Sequence, residues 1–236
     1  MENSTILHGI DVSEWQGTIN WDKVSAAGVE FAMIRATHGL KRDVFFEQNI
    51  KGALDAGVAV GVYCCSYATD LDGILADAAY FLTTLKPWRS AITFPVVLDA
   101  EQNEQYALGK AKVTEMMLAF CKTVADSGYT PMVYTNSAWL NNVIDKPTLA
   151  DEGIDVWVAW PKSTTNFDNI PVDGVTKHEH TMWQFSSVGK VDGIAGNVDL
   201  NVSYVNYGET IDTGEYITWD EVAEMLRNSG VRGVIL

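Results

Sequence analysis

The run Val58-Ala59-Val60-Gly61-Val62-Tyr63 reads as a strand, Ile74, Ala78, Phe81, Leu82 and Leu85 then recur at helical spacing, and Pro95-Val96-Val97-Leu98-Asp99 reads as a strand again. Short valine-rich runs suit strands buried on both faces. An amphipathic helix between two such runs is the crossover of a parallel pair. The alternation extends in both directions. Upstream, residues 6–12 and 31–36 are strands, Asn20 caps a short helix that stops near Gly28, and Phe46, Ile50, Ala53 and Leu54 mark a helix before Gly57. Downstream, Val113, Met117, Phe120, Cys121 and Val124 define a long helix, residues 131–135 a strand and residues 137–144 a short helix.

Then the rhythm changes. Residues 155–159, 180–185 and a glycine-broken 191–200 read as strands, whereas residues 160–179 show no helical period. Five strand–helix units followed by three strands give eight strands, enough to close a barrel. The expected fold class is α/β, a single irregular β/α barrel. A chain of 236 residues fits one such unit, because barrels of this kind are typically about 250 residues long. Residues 1–207 are assigned to the barrel and residues 208–236 to a short tail. In that tail Thr218 and Glu221 form a capping box before Val222, Met225 and Leu226, which predicts one amphipathic helix. A tail this short cannot hold its own core, so it either packs on the barrel or begins a further module.

With 16 basic and 31 acidic residues the formal charge is −15. That argues against nucleic acid or an anionic membrane as partner, since phosphate binding needs a basic footprint. No apolar run approaches the ~18 residues of a membrane span, and Met1-Glu2-Asn3-Ser4 does not open a secretory signal. Cys64, Cys65 and Cys121 neither form a disulfide framework nor have zinc spacing, and they read as free thiols. There is no phosphate loop, dinucleotide fingerprint or Gly-x-Ser-x-Gly elbow. His8 and His38 have no serine or cysteine partner, and His178 and His180 flank Glu179 in what reads as a solvated loop.

In a β/α barrel the chemistry sits at the C-terminal ends of the strands. Asp11, Tyr63, Asp99 with Glu101, Tyr134, Gln184 and Asp199 all fall at such ends. Asp99-Ala100-Glu101 is the informative piece. Residues i and i+2 share a strand face, so both carboxylates point one way while Val96, Leu98 and Ala100 pack on the other side. Two neighbouring carboxylates resist ionising together, and one keeps its proton to higher pH. Glycosidic bond cleavage needs that combination: an acid for the leaving oxygen and an anion for the developing positive charge. A divalent metal site is the competing reading for clustered acids. No acidic loop of calcium-binding spacing is present, and neither metal nor cofactor is expected. Trp15, Tyr63, Tyr67, Tyr134, Trp160 and Trp183 fall at or just beyond strand ends, where flat rings stack on sugars.

Gly9-Ile10-Asp11-Val12-Ser13-Glu14-Trp15-Gln16-Gly17 with Ile19-Asn20-Trp21 resembles the opening of the glycoside hydrolase family 25 lysozymes. Phe31–Thr37, Gly61-Val62-Tyr63, Val97–Glu101, Pro131–Tyr134, Trp157-Val158-Ala159, Met182–Phe185 and Val198–Asn201 are similar to later family segments, in order. The resemblance covers residues 7–205. It implies an irregular TIM-type barrel of five β/α units and three strands, and an N-acetylmuramidase cutting the β-1,4 bond after N-acetylmuramic acid in peptidoglycan. It assigns the acid to Glu101, the assisting carboxylate to Asp99, supporting acids to Asp11 and Asp199, and cleft tyrosines to Tyr63 and Tyr134. Trp15, Tyr67, Trp160 and Gln184 complete the expected substrate-binding set. The rivals are a wall-glycan-binding barrel without catalysis and a hydrolase of another amino-sugar polymer. Action on the cell wall would require either release from the host cytoplasm at lysis or secretion with the signal removed. Thr37-His38-Gly39, Cys64-Cys65 and Trp160-Pro161 depart from the family's usual residues, and all three stand where substrate subsites are expected.

Overall fold

The computed structural model describes residues 6–171 and 180–209. Its elements are β1 (Leu7–Val12), α1 (Trp21–Ala26), β2 (Phe31–His38), β3 (Lys41–Arg42), α2 (Phe46–Asp55), β4 (Ala59–Cys65), α3 (Leu71–Leu85) and β5 (Val96–Asp99). The order continues with α4 (Asn103–Tyr106), α5 (Lys110–Asp126), β6 (Pro131–Asn136), α6 (Ser137–Asn142), α7 (Lys146–Asp151), β7 (Asp155–Lys162), β8 (Met182–Gly189) and β9 (Val198–Ser203). Parallel pairing runs from β1 through β2, β4, β5, β6 and β7 to β8. β9 then pairs with both β8 and β1 and closes the ring of eight. β3 stands outside it as a short hairpin on β2.

Several boundaries follow from local chemistry. The side chain of Asn20 accepts the Lys23 amide at 3.1 Å and starts α1, and that of Asp70 accepts the Gly73 amide at 2.8 Å and starts α3. Each satisfies one of the amides that a helix start leaves without a partner. α4 and α7 were not legible from periodicity, being four and six residues long. The greatest departure is the last strand. Residues 191–197 are turn rather than strand, with Gly193 at φ 98° and Gly196 at φ 90°. They reverse the chain, so β9 is antiparallel to both neighbours. His180, expected to be solvated, is buried at the entry to β8. The tail helix expected after Thr218 and the residues around His178 lie outside the described residues.

Alternation along the strands sorts the apolar residues into two compartments. Ile10, Ile34, Val62, Val96, Leu98, Val133 and Val158 face outward onto the helices, where Phe81 of α3 and Phe120 of α5 stack at 6.0 Å. Phe31, Met33, Phe94, Val97, Met132, Trp157 and Met182 fill the barrel interior. The interior depends on small residues among large ones. A Cβ on Gly9 would lie 2.2 Å from the Phe31 ring, and one on Gly61 would lie 2.5 Å from the Met33 sulfur. This packed layer is the floor of the barrel mouth.

Candidate active site

A pocket of about 140 Å³ opens at the mouth of the barrel, and Asp11, Asp99, Glu101 and Asp199 all line it. Tyr63, Tyr134, Gln184 and Trp157 complete the lining. Strand register makes part of this a horizontal row: Cys65 lies beside Asp99, Asp99 beside Tyr134, and Tyr134 beside Trp157. Asp199 arrives by another route than the one expected. It lies at the start of β9, not the end of a strand, and the reversed direction of β9 places it opposite Asp11. A larger cavity of about 450 Å³ contains Asp155 and Thr181, at the opposite ends of their strands, and none of the four acids.

Asp11 is the hub of a hydrogen-bond network. Its Oδ2 accepts from Gln184 Nε2 and Asn201 Nδ2, each at 2.8 Å. Both amides are oriented in turn. The Tyr134 hydroxyl donates to Gln184 Oε1 at 3.1 Å, and the Trp157 indole donates to Asn201 Oδ1 at 2.9 Å. Asp11 also hydrogen-bonds Asp199, which two carboxylates manage only by sharing a proton. Burial, and after it the Asp199 charge, pushes Asp11 well above the usual carboxylate range, against the pull of Asn201 and Gln184. Burial raises Asp199 too, while the bond from Asp11 lowers it. The two carboxyls therefore share one proton and carry a single negative charge between them.

Asp99 and Glu101 form the second pair, in unlike surroundings. Asp99 is only 8% exposed, and its Oδ1 accepts no hydrogen bond among the described residues. Burial, then Glu101, holds its carboxyl well above the ordinary value, while the Cys65 thiol and, more weakly, Arg35 oppose this. Glu101 stands exposed at the lip. The enclosing walls and the Asp11 charge raise it, and a hydrogen bond from Asn136 lowers it. The orientation of Asn136 is fixed: its Oδ1 caps α6, accepting the amides of Ala138 at 3.0 Å and Trp139 at 3.1 Å. Its NH₂ is thus left to serve Glu101. Among the described residues no three His, Cys, Asp or Glu side chains are grouped so as to hold a metal ion, and no helix is long and apolar enough to cross a membrane.

The remaining expected residues are not in the pocket. Trp15, 81% exposed, and Tyr67, 54% exposed, stand on the rim. Trp160 packs against the outer apolar shell with the Lys162 ammonium 3.7 Å from its ring centroid. Trp183 is fully buried in the same shell. Three residues of the site were not anticipated: Trp157, which lines the pocket, and Asn201 and Asn136, which hydrogen-bond Asp11 and Glu101. Strand parity offered a signal for two of them. Trp157 shares a face with Ala159, and Asn201 shares one with Asp199. For Asn136 the only signal was its place at the end of a strand before a helix.

Residues 10–194 match the sequence model of Glycosyl hydrolases family 25. The chain belongs to this family. Family 25 proteins are glycoside hydrolases, and so is this chain. Its relatives include Lysozyme M1 of Streptomyces globisporus, 34% identical over 203 residues, covering 83% of this chain and 67% of the relative. Among solved structures, the bacterial lysozyme of Streptomyces coelicolor superimposes with a TM-score of 0.65 at 27% identity, covering 94% of this chain and 98% of the other. The modular autolysin LytC of Streptococcus pneumoniae, solved with a synthetic peptidoglycan ligand, shares the fold with a TM-score of 0.70 at 23% identity, covering 86% of this chain and 47% of the other.

Proposed function

We infer that this family 25 chain is a peptidoglycan muramidase that cuts the β-1,4 bond between N-acetylmuramic acid and N-acetylglucosamine, with Glu101 as general acid and base and Asp99 as its partner. One observation carries the reading: a buried carboxylate oxygen without a partner, on Asp99, two residues from an exposed carboxyl at the same strand end. The named relatives, two lysozymes and an autolysin with a peptidoglycan ligand, support wall glycan as the substrate class.

The two acids lie two residues apart at the end of β5 and line the same pocket, which is awkward for a nucleophile on the sugar's far side. The 2-acetamido group of the substrate supplies one instead. Its N–H donates to Asp99 Oδ1, and its carbonyl oxygen bonds to the anomeric carbon as the glycosidic bond breaks. The Glu101 proton passes to the leaving oxygen. Water then adds to the anomeric carbon, the oxazolinium ring opens, and Glu101 takes a proton from that water. Burial raises both carboxyls, so the pair retains a proton. An amide N–H on Oδ1 favours the Asp99 anion, and a sugar covering Glu101 favours the neutral acid. Substrate binding thus puts the proton where the leaving oxygen needs it. The Asp11–Asp199 pair, held by Asn201 and Gln184, forms the opposite wall and keeps a single negative charge near the anomeric centre.

Glu101→Gln tests the assignment. It should cost about 10²–10⁴ in the rate of clearing purified cell walls and leave the circular dichroism spectrum unchanged. A folded variant clearing walls at near the parent rate contradicts the role given to Glu101.

A further inference from the structure

The apolar rim residues are not scattered. Trp15, Leu40, Val44 and Tyr67 are 81%, 62%, 67% and 54% exposed, and lie in the connections after β1, β2, β3 and β4 respectively. Hydrogen bonds tie these connections into one side of the rim. Asp43, after β3, accepts the Glu14 amide at 2.9 Å and Arg35 Nε at 2.8 Å through its Oδ2. Arg35 Nη2 reaches Glu14 Oε1 at 2.8 Å, closing the clasp beneath Trp15. The hairpin turn is tied to the pocket itself. The Gly39 amide donates to the Cys65 carbonyl at 2.8 Å, and Cys65 is the register neighbour of Asp99. Gly39, at φ 52°, also lies under the Tyr67 ring, 3.7 Å from where its Cβ would stand. Lys41, exposed on the hairpin, has no carboxylate partner among the described residues.

Aromatic rings on this wall suit sugars, but Leu40, Val44 and the Lys41 ammonium do not. Branched aliphatic groups and an ammonium fit alanine methyls and free carboxylates. Those are the chemistry of the peptide that muramic acid carries on its O3 lactyl ether. Position decides the matter. Under the muramidase reading, on which this inference rests, Asp99 takes the acetamido group at C2. C3 is the adjacent ring carbon, so its lactyl arm leaves the pocket on the Asp99 side. On that side Cys65 and Gly39 join the hairpin to the pocket wall. We propose that the β2–β3 hairpin wall, with Leu40, Lys41 and Val44, receives the lactyl-peptide arm of the muramic acid being cut.

The test compares the intact enzyme on peptide-bearing glycan strands and on the same strands stripped by an amidase. Lys41→Glu and Leu40→Ser are surface changes outside the pocket, and unchanged thermal unfolding verifies that they fold. KM for peptide-bearing strands should rise roughly fivefold for Lys41→Glu, the scale of losing an exposed ion pair. KM for stripped strands and kcat on either should stay put. Equal losses on both substrates, or no loss on either, overturn the proposal. Failure of the parent enzyme to cut either substrate overturns the muramidase reading instead, so the two failures are distinguishable.

Discussion

Replacing Asp99 with asparagine should stabilise the protein while removing its activity, and the gain should grow with pH. Asp99 is nearly enclosed, beside Glu101, and its carboxyl is held well above the ordinary range by burial first and by Glu101 second. In the unfolded chain it titrates near 3.9. A raised folded value means that the folded state grips the proton more tightly. The contribution of the group to stability is then fully present below the unfolded value and is lost as pH rises through the folded one. Between the two values the loss is about 1.4 kcal/mol per pH unit. Asparagine keeps the shape, carries no charge and still offers an oxygen to the Cys65 thiol. The advantage of Asp99→Asn should be near zero at pH 4 and should then grow with pH at up to about 1.4 kcal/mol per unit until the folded carboxyl ionises, each kcal/mol being worth roughly 2–4 °C in Tm for a chain of this size. Thermal unfolding followed by circular dichroism at pH 4, 5, 6 and 7.5, alongside a wall-clearing assay, reads both effects. A variant less stable than the parent at pH 6, or an advantage that does not grow with pH, refutes the reasoning.

The pH profile of kcat/KM should be bell-shaped. Both members of the Asp99–Glu101 pair are raised, so the singly protonated pair persists above the ordinary carboxylate range, and activity falls when the second proton leaves. An alkaline limb at the unperturbed glutamate value would contradict the pairing. Asp11→Asn should slow turnover less than Glu101→Gln, because Asp11 acts through the wall it builds with Asp199; initial rates on soluble glycan strands compare the two. At a formal charge of −15 the protein is repelled by anionic wall polymers, so raising salt from low to physiological strength should speed clearing by screening. A monotonic fall over that range would count against this.

The barrel was legible because its strands are apolar on both faces and its long helices keep a clear period. Val96–Asp99 and residues 110–126 announce themselves. The closing strand was not, since nothing in residues 191–200 reveals direction. Parallel and antiparallel strands share a period of two, and only the glycine turn at 193–196, whose conformation depends on the fold, reverses the chain. Asp199 was therefore named for the mouth with the wrong end of its strand in mind. Aromatics proved harder than acids. Trp183 lies between Met182 and Gln184, which face inward, so parity turns it out to the shell. A stacking role cannot be assigned from proximity to a strand end alone. The supporting amides Asn136 and Asn201 were invisible for a further reason: an asparagine becomes informative only once its partners, here Glu101 and Asp11, are known.

The central claim is that the bond cut is the one after N-acetylmuramic acid, through Glu101. The most direct measurement digests purified peptidoglycan, reduces the new ends with borohydride and identifies them by mass spectrometry. Muramitol ends are expected with the parent enzyme and none above background with Glu101→Gln. Reduced N-acetylglucosamine ends, or muramitol ends formed at the parent rate by the folded Glu101→Gln protein, would contradict it.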